Sequence, residues 1–199
     1  QARSLPELLE QFDQVFERPA LEALETVRAD GLIVNFDDAR AGRSWIVDGG
    51  TASLDLRGGE TAMRGNFSLL SGRAEVTQVS LSYASPRGSR AAQVAVNLDN
   101  AVATDIAAQS PALSWLQGVT APISAALRTE LDENGALGPL NAALEIGEGG
   151  LHPNPATEPV AFDEAKAYFT YDPVRDHIAF REISLETGWG QLQAEGDAY

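Results

Sequence analysis

From about Gly31 to Tyr199 the apolar residues recur at every second position, and the segments so patterned are joined by Gly, Asn and Asp turns. A two-residue period sets alternate side chains on opposite faces of an extended strand, so a chain written this way builds a broad antiparallel sheet with one apolar face. Almost no residue along it is suited to chemistry. That narrows what the sheet does more than it names it.

The apolar fraction of 44% is that of an ordinary globular chain, which argues against disorder, and 199 residues suffice for one domain or one large sheet with helices packed on it. A net charge of -15, from 29 acidic against 14 basic residues, repels nucleic acid phosphates and anionic head groups. Nucleic acid is therefore not an expected partner. The absence of cysteine removes disulfides, thiolate metal sites and a cysteine nucleophile, and leaves an oxidising compartment open.

No apolar run reaches the roughly 20 residues that cross a bilayer, and no basic-then-apolar leader opens the chain. Gln1 leads almost at once into an amphipathic segment, and Asp197-Ala198-Tyr199 reads as mid-strand. The expectation is a fragment of a longer protein whose membrane anchor lies elsewhere.

Residues 1–30 read as helical. Ser4, Pro6 and Glu7 make a helix start of the capping-box kind, and Leu5, Leu8, Leu9, Phe12, Val15 and Phe16 share a stripe opposite Glu10, Asp13, Gln14 and Glu17. Arg18-Pro19 interrupts the period, and Leu21, Leu24 and Val27 continue it to a stop at Asp30-Gly31. The acidic polar side disfavours a lipid surface, so the stripe is expected to pack on the sheet.

Residues 31–199 read as the sheet. Turns are predicted at Ala41-Gly42, Gly49-Gly50, Gly58-Gly59, Pro86-Arg87-Gly88, Asp132 to Gly135, Asp172 to Asp176 and Gly188 to Gly190. Phase slips predict bulges between Val76 and Val79 and at Arg181-Glu182. Ser110-Pro111 opens a short helix near 111–117 that carries Trp115. Gly147 to Pro159 reads as a loop around a short strand at Leu151. The fold class is thus mainly β, a large curved antiparallel sheet of about ten strands with an N-terminal amphipathic helical segment and one short internal helix.

Chemistry is poorly provided for. His152 lies in a loop and His177 at a strand start, far apart in sequence, and neither a zinc spacing nor a G-x-S-x-G elbow is present. Asp132-Glu133-Asn134-Gly135 looks like the start of a calcium loop, but Ala143 stands where the bidentate glutamate belongs, so it reads as a hairpin turn. The glycine pairs lack the strand, lysine and helix of a nucleotide loop. Trp45, Trp115 and Trp189 are expected to pack on the core rather than stack on a ligand. No acid–base pair can be singled out for glycoside hydrolysis. The chain is expected not to be an enzyme and to need no cofactor or metal.

Certain phrases add a resemblance. Asp105-Ile106-Ala107, Pro111-Ala112-Leu113, Trp115-Leu116, Ala121-Pro122-Ile123-Ser124 and the strand to Leu131-Asp132-Glu133-Asn134-Gly135 resemble the AsmA-like superfamily, in particular its YhdP-type members. Ala167-Tyr168-Phe169-Thr170-Tyr171-Asp172, Ile183-Ser184-Leu185 and Gly190 to Gly196 are similar to the strand-turn-strand phrase these proteins repeat. The resemblance implies a periplasmic segment of an inner-membrane-anchored envelope protein of Gram-negative bacteria. It further implies a curled sheet offering an apolar groove to phospholipid in transit between inner and outer membranes.

An acyl chain gains about 0.8 kcal/mol per buried methylene on such a surface. The candidate lining is Val94, Val96, Leu98, Ile123, Leu127, Leu140, Leu144, Ile146, Phe169, Ile178 and Phe180. The same alternation suits ordinary core packing. Two functions therefore stand: a conduit for phospholipid or another acyl-chain ligand, and a structural or assembly module. The second would bind other envelope protein segments, or neighbouring repeats of its own chain, by strand addition.

Overall fold

The computed structural model describes residues 24–38, 43–70, 75–108, 111–152, 154 and 158–198. The helix expected over residues 4–16 lies outside them. The described residues are mainly β, as the two-residue period requires.

Ten strands among the described residues form one sheet. In spatial order they are β1 (Thr26–Asp38), β2 (Arg43–Asp55), β3 (Glu60–Leu70), β4 (Val76–Pro86), β5 (Ala92–Val102), β7 (Pro122–Leu131), β8 (Leu140–Ile146), β11 (Glu164–Asp172), β12 (His177–Thr187) and β13 (Gly190–Ala198). Each pairs antiparallel with its neighbour, so the sheet is a meander broken by two excursions. The first excursion holds the helix α1 (Ala103–Ala107), a 3-10 segment (Pro111–Gly118) and β6 (Val119–Thr120). The second holds β9 (Gly149–Leu151) and β10 (Val160–Phe162). Together β6, β9 and β10 pair into a separate three-stranded sheet.

Register explains why these pieces meet. Val102 pairs with Pro122, Ile123 with Ile146 and Ile146 with Ala165, so both excursions leave from the same end of the large sheet. They close over it as a cap. Ala103, Ala107, Leu116, Val119, Ile123, Ile146 and Phe162 are buried there, with Ile106, Ala121, Leu144, Ala165 and Leu185 packed against them. Because β7, β8, β11 and β12 supply one side of this cluster and the excursions the other, the cap is a true two-layer core.

Several local expectations change. Thr26 to Asp30, read as helix, is strand: Thr26 pairs with Asp55, and the Leu56 amide donates to Glu25 O at 2.8 Å. A long partner strand outweighs a helical period carried by Leu21, Leu24 and Val27 alone. Gly49-Gly50 is not a turn. It is a bulge inside β2, facing the bulge at Gly31 in β1, and Gly31 and Gly49 have φ of +68° and +65°. Two apposed bulges bend the pair without breaking it.

The slip expected between Val76 and Val79 is absent, because β3 and β4 pair without interruption from Leu70–Val76 to Glu60–Pro86. Val76 simply points to the polar side. At Arg181-Glu182 the slip is present, with register shifts on both sides of β12. The internal helix near 111–117 is a 3-10 segment, and α1 precedes it.

Gly49 gives a testable consequence. A β-branched residue in the left-handed region costs about 1–2 kcal/mol, so Gly49→Val is expected to lower the urea midpoint by a matching amount. Gly188→Ala, at an ordinary φ with open space around it, is expected to leave the midpoint unchanged. Equal midpoints for both variants would contradict the bulge.

Candidate functional site: the apolar face

Directly paired residues of an antiparallel sheet point to the same side, so register alone assigns the faces. One row runs Val96, Leu127, Ala142, Phe169 and Phe180 across β5, β7, β8, β11 and β12. The next runs Leu98, Ala125, Leu144, Ala167 and Ile183, and a third Ile123, Ile146, Ala165, Leu185 and Leu192. Val94 pairs with Thr129, and Leu140 with Tyr171 and through it with Ile178.

Every residue named as a candidate lining therefore lies on one face. Most remain half-buried and reachable. Ile123 and Ile146 do not: they are 0% and 7% exposed beneath the cap. These two belong to a filled core, because the excursions that follow β5 and β8 fold back over their end of the strands.

Sequence reasoning named too small a face. Val79, Leu81 and Tyr83 of β4 pair with Leu98, Val96 and Val94. Phe67 and Met63 of β3 follow, then Val47 and Leu54 of β2, then Val34 and Val27 of β1. The signal was present, since all sit in the same two-residue period. The apolar face thus crosses the whole ten-stranded sheet, about 43 Å at the usual strand spacing.

Its texture varies. Phe169 and Phe180 stack tilted at 52° with centroids 5.5 Å apart. Phe67 lies over a glycine on its own strand and another on the next: a Cβ on Gly65 would collide with its ring, and one on Gly50 would stand 3.0 Å from Cδ1. The ring covers backbone that would otherwise be bare, and both glycines are buried.

The opposite face is polar and locally paired. Arg28 meets Asp30 at 3.0 Å, Arg57 meets Asp55, Lys166 meets Glu164 at 2.6 Å and His177 Nε2 meets Asp197 Oδ1 at 2.8 Å. His152 is exposed, and its amide donates to Gly118 O. Among the described residues no group of three His, Cys, Asp or Glu side chains is placed to hold a metal ion. No helix among them is long and apolar enough to cross a membrane. Trp45 is half-buried, but Trp189 is 82% exposed at the tip of the β12–β13 hairpin, against the expectation that it packs.

The turn at Asp132 is a hairpin turn. Its Oδ1 accepts from the amides of Asn134 and Ala136 at 2.8 and 2.9 Å, and Gly135 takes a φ of +76°. Hydrogen bonds from Ala136 and Asn134 lower the Asp132 pKa. At Asp55 the Arg57 side chain and amide bring the carboxyl to about 2.

A carboxyl depressed on folding stabilises fully above its unfolded pKa of about 4 and loses that stability as pH falls through the folded value. The melting temperature is therefore expected to fall between about pH 4 and pH 2, and to fall less steeply in Asp55→Asn. A variant curve parallel to the parent over that window would show that the pair contributes nothing.

No family model matches the chain, and no curated protein or solved structure matches it.

Proposed function

We propose that the chain is a non-enzymatic, periplasmic segment of an AsmA/YhdP-like envelope protein whose apolar sheet face carries phospholipid between inner and outer membranes. The observation that supports this is the face itself. It is apolar across all ten strands, and away from the cap the described residues lay no second layer upon it. The membranes, the compartment and phospholipid as the ligand are what the resemblance to the AsmA-like superfamily implies.

The physics is compatible with an acyl ligand. A palmitoyl chain with most of its methylenes buried gains roughly 10 kcal/mol gross, against an association cost of about 4–15 kcal/mol. Affinity then depends on how much of the chain the face encloses, so a sheet of this width favours a long ligand over a short one. Movement along such a face needs no catalytic residue.

The test is native mass spectrometry of the purified protein, followed by lipid extraction. Stoichiometric co-purifying phospholipid is the expected result. A folded, lipid-free protein that takes up no phospholipid from vesicles would reject the reading.

A second reading draws on the sheet edges. β13 is exposed at every residue, and no described strand pairs with the outer side of β1. Unpaired strand edges accept further strands by backbone hydrogen bonding, which fits an assembly module joining neighbouring segments. Lipid-free protein whose self-association is abolished by Gln193→Pro would favour it, because Gln193 sits at a non-hydrogen-bonded pair with Ser184 and proline there removes an outward edge donor.

A further inference from the structure

The polar face also holds a hollow that neither reading uses. Its volume is about 710 Å³, and Arg64, Ser82, Ala95, Arg128 and Asn141 lie along it in one cross-strand row. The adjoining row runs Ala62, Ala84, Gln93 and Glu130. The hollow exists because the residues between the long side chains are small: Ser82, Ala84 and Ala95 leave the floor low while Arg64, Arg128, Gln93 and Glu130 rise around it.

The two arginines differ from those that meet a neighbouring aspartate. Arg28, Arg57 and Arg175 each meet an aspartate close in sequence. Arg64 and Arg128 make no hydrogen bond or close ion pair among the described residues, although Arg64 stands near enough to Asp55 to help lower its pKa. They stand on β3 and β7, three strand spacings apart, or roughly 14 Å. A planar guanidinium with its donors unused is suited to bidentate capture of a carboxylate or phosphate.

We infer that this trough binds an anionic oligosaccharide, with one acidic group at Arg64, a second at Arg128 and sugar hydroxyls against the floor between them. The floor and walls supply matching groups. Ser82 and Gln93 can donate and accept, the Asn141 amide donates while its Oδ1 accepts from Thr170, and Glu130 accepts hydroxyl protons. An acidic peptide fits less well. The backbone groups of β3, β4, β5 and β7 are already engaged by strands on both sides, so a peptide main chain finds no ladder to join.

The probe is tetragalacturonate, whose terminal carboxylates reach about as far as the two arginines, titrated calorimetrically into the whole chain at low and at moderate salt. Binding that weakens with salt, and that falls about tenfold or more in Arg64→Ala and in Arg128→Ala but not in Arg175→Ala, is the expected result. All three side chains are exposed, so folding is not at issue. Absence of binding at millimolar probe, or equal binding by the variants, overturns the site. Equal affinity for maltotetraose overturns the anionic requirement, and equal, arginine-dependent affinity for tetraglutamate overturns the oligosaccharide. None of these outcomes bears on lipid at the opposite face.

Discussion

Ile123→Ala is expected to lower the unfolding free energy by about 2–5 kcal/mol, the range for truncating a buried aliphatic side chain. Ile123 is 0% exposed and stands where β7, β8, α1 and the small sheet converge. Its loss leaves a cavity that neighbours on a hydrogen-bonded sheet cannot close. Against a total of about 5–15 kcal/mol for a typical domain, one truncation of this size removes much of the stability.

Phe162→Ala is expected to cost about 3–5 kcal/mol, since it removes the cap's side of the same cluster. Val174→Ala, 90% exposed in the β11–β12 turn, serves as the reference and is expected to change little. Urea unfolding followed by circular dichroism measures all three. A loss below about 1 kcal/mol for both core variants would mean that the cap is not the cooperative core of the molecule.

The second large effect concerns ligand rather than stability. Leu127→Asp and Phe180→Asp each set a carboxylate at a half-buried position of the row that joins Val96, Leu127, Ala142, Phe169 and Phe180. Solvent reaches these positions in the free protein, so the charge remains hydrated and the fold is expected to persist. A bound acyl chain would strip that hydration, and burying an unpaired carboxylate costs several kcal/mol. Co-purifying phospholipid is therefore expected to fall by tenfold or more in either variant, while Glu182→Gln, on the polar face, retains it. Lipid content unchanged in both aspartate variants, with native circular dichroism, would place any lipid elsewhere and end the proposal for this face.

Much of the local structure was legible in the sequence. The hairpin at Asp132 to Gly135 was fixed by short-range chemistry, an aspartate that accepts two amides and a glycine with positive φ. The slip at Arg181-Glu182 was readable because the alternation itself changes phase there. The Gly49-Gly50 bulge was not, since a glycine pair reads alike in a turn and in a bulge, and only the partner strand with its own bulge at Gly31 distinguishes them. Thr26 to Asp30 reads as helix for a related reason: a few apolar residues at helical spacing are also compatible with a strand once a long neighbour supplies hydrogen bonds.

The candidate face shows the same division. Strand periodicity by itself determined that alternate residues within a strand share a side, Val94 with Val96 and Leu98, or Leu140 with Leu144, while the cross-strand register placed Leu127, Phe169, Ile178 and Phe180 on that same side. Periodicity could not determine that Ile123 and Ile146 leave the open face for a core. Nor could it show that Arg64 and Arg128 stand over a common floor. Both depend on which strands become neighbours and where the excursions after β5 and β8 return, and these are settled by pairing between residues distant in sequence. The sequence alone wrote an amphipathic sheet; the tertiary pairing decided which part of it is filled, which part is open and which charges face each other across it.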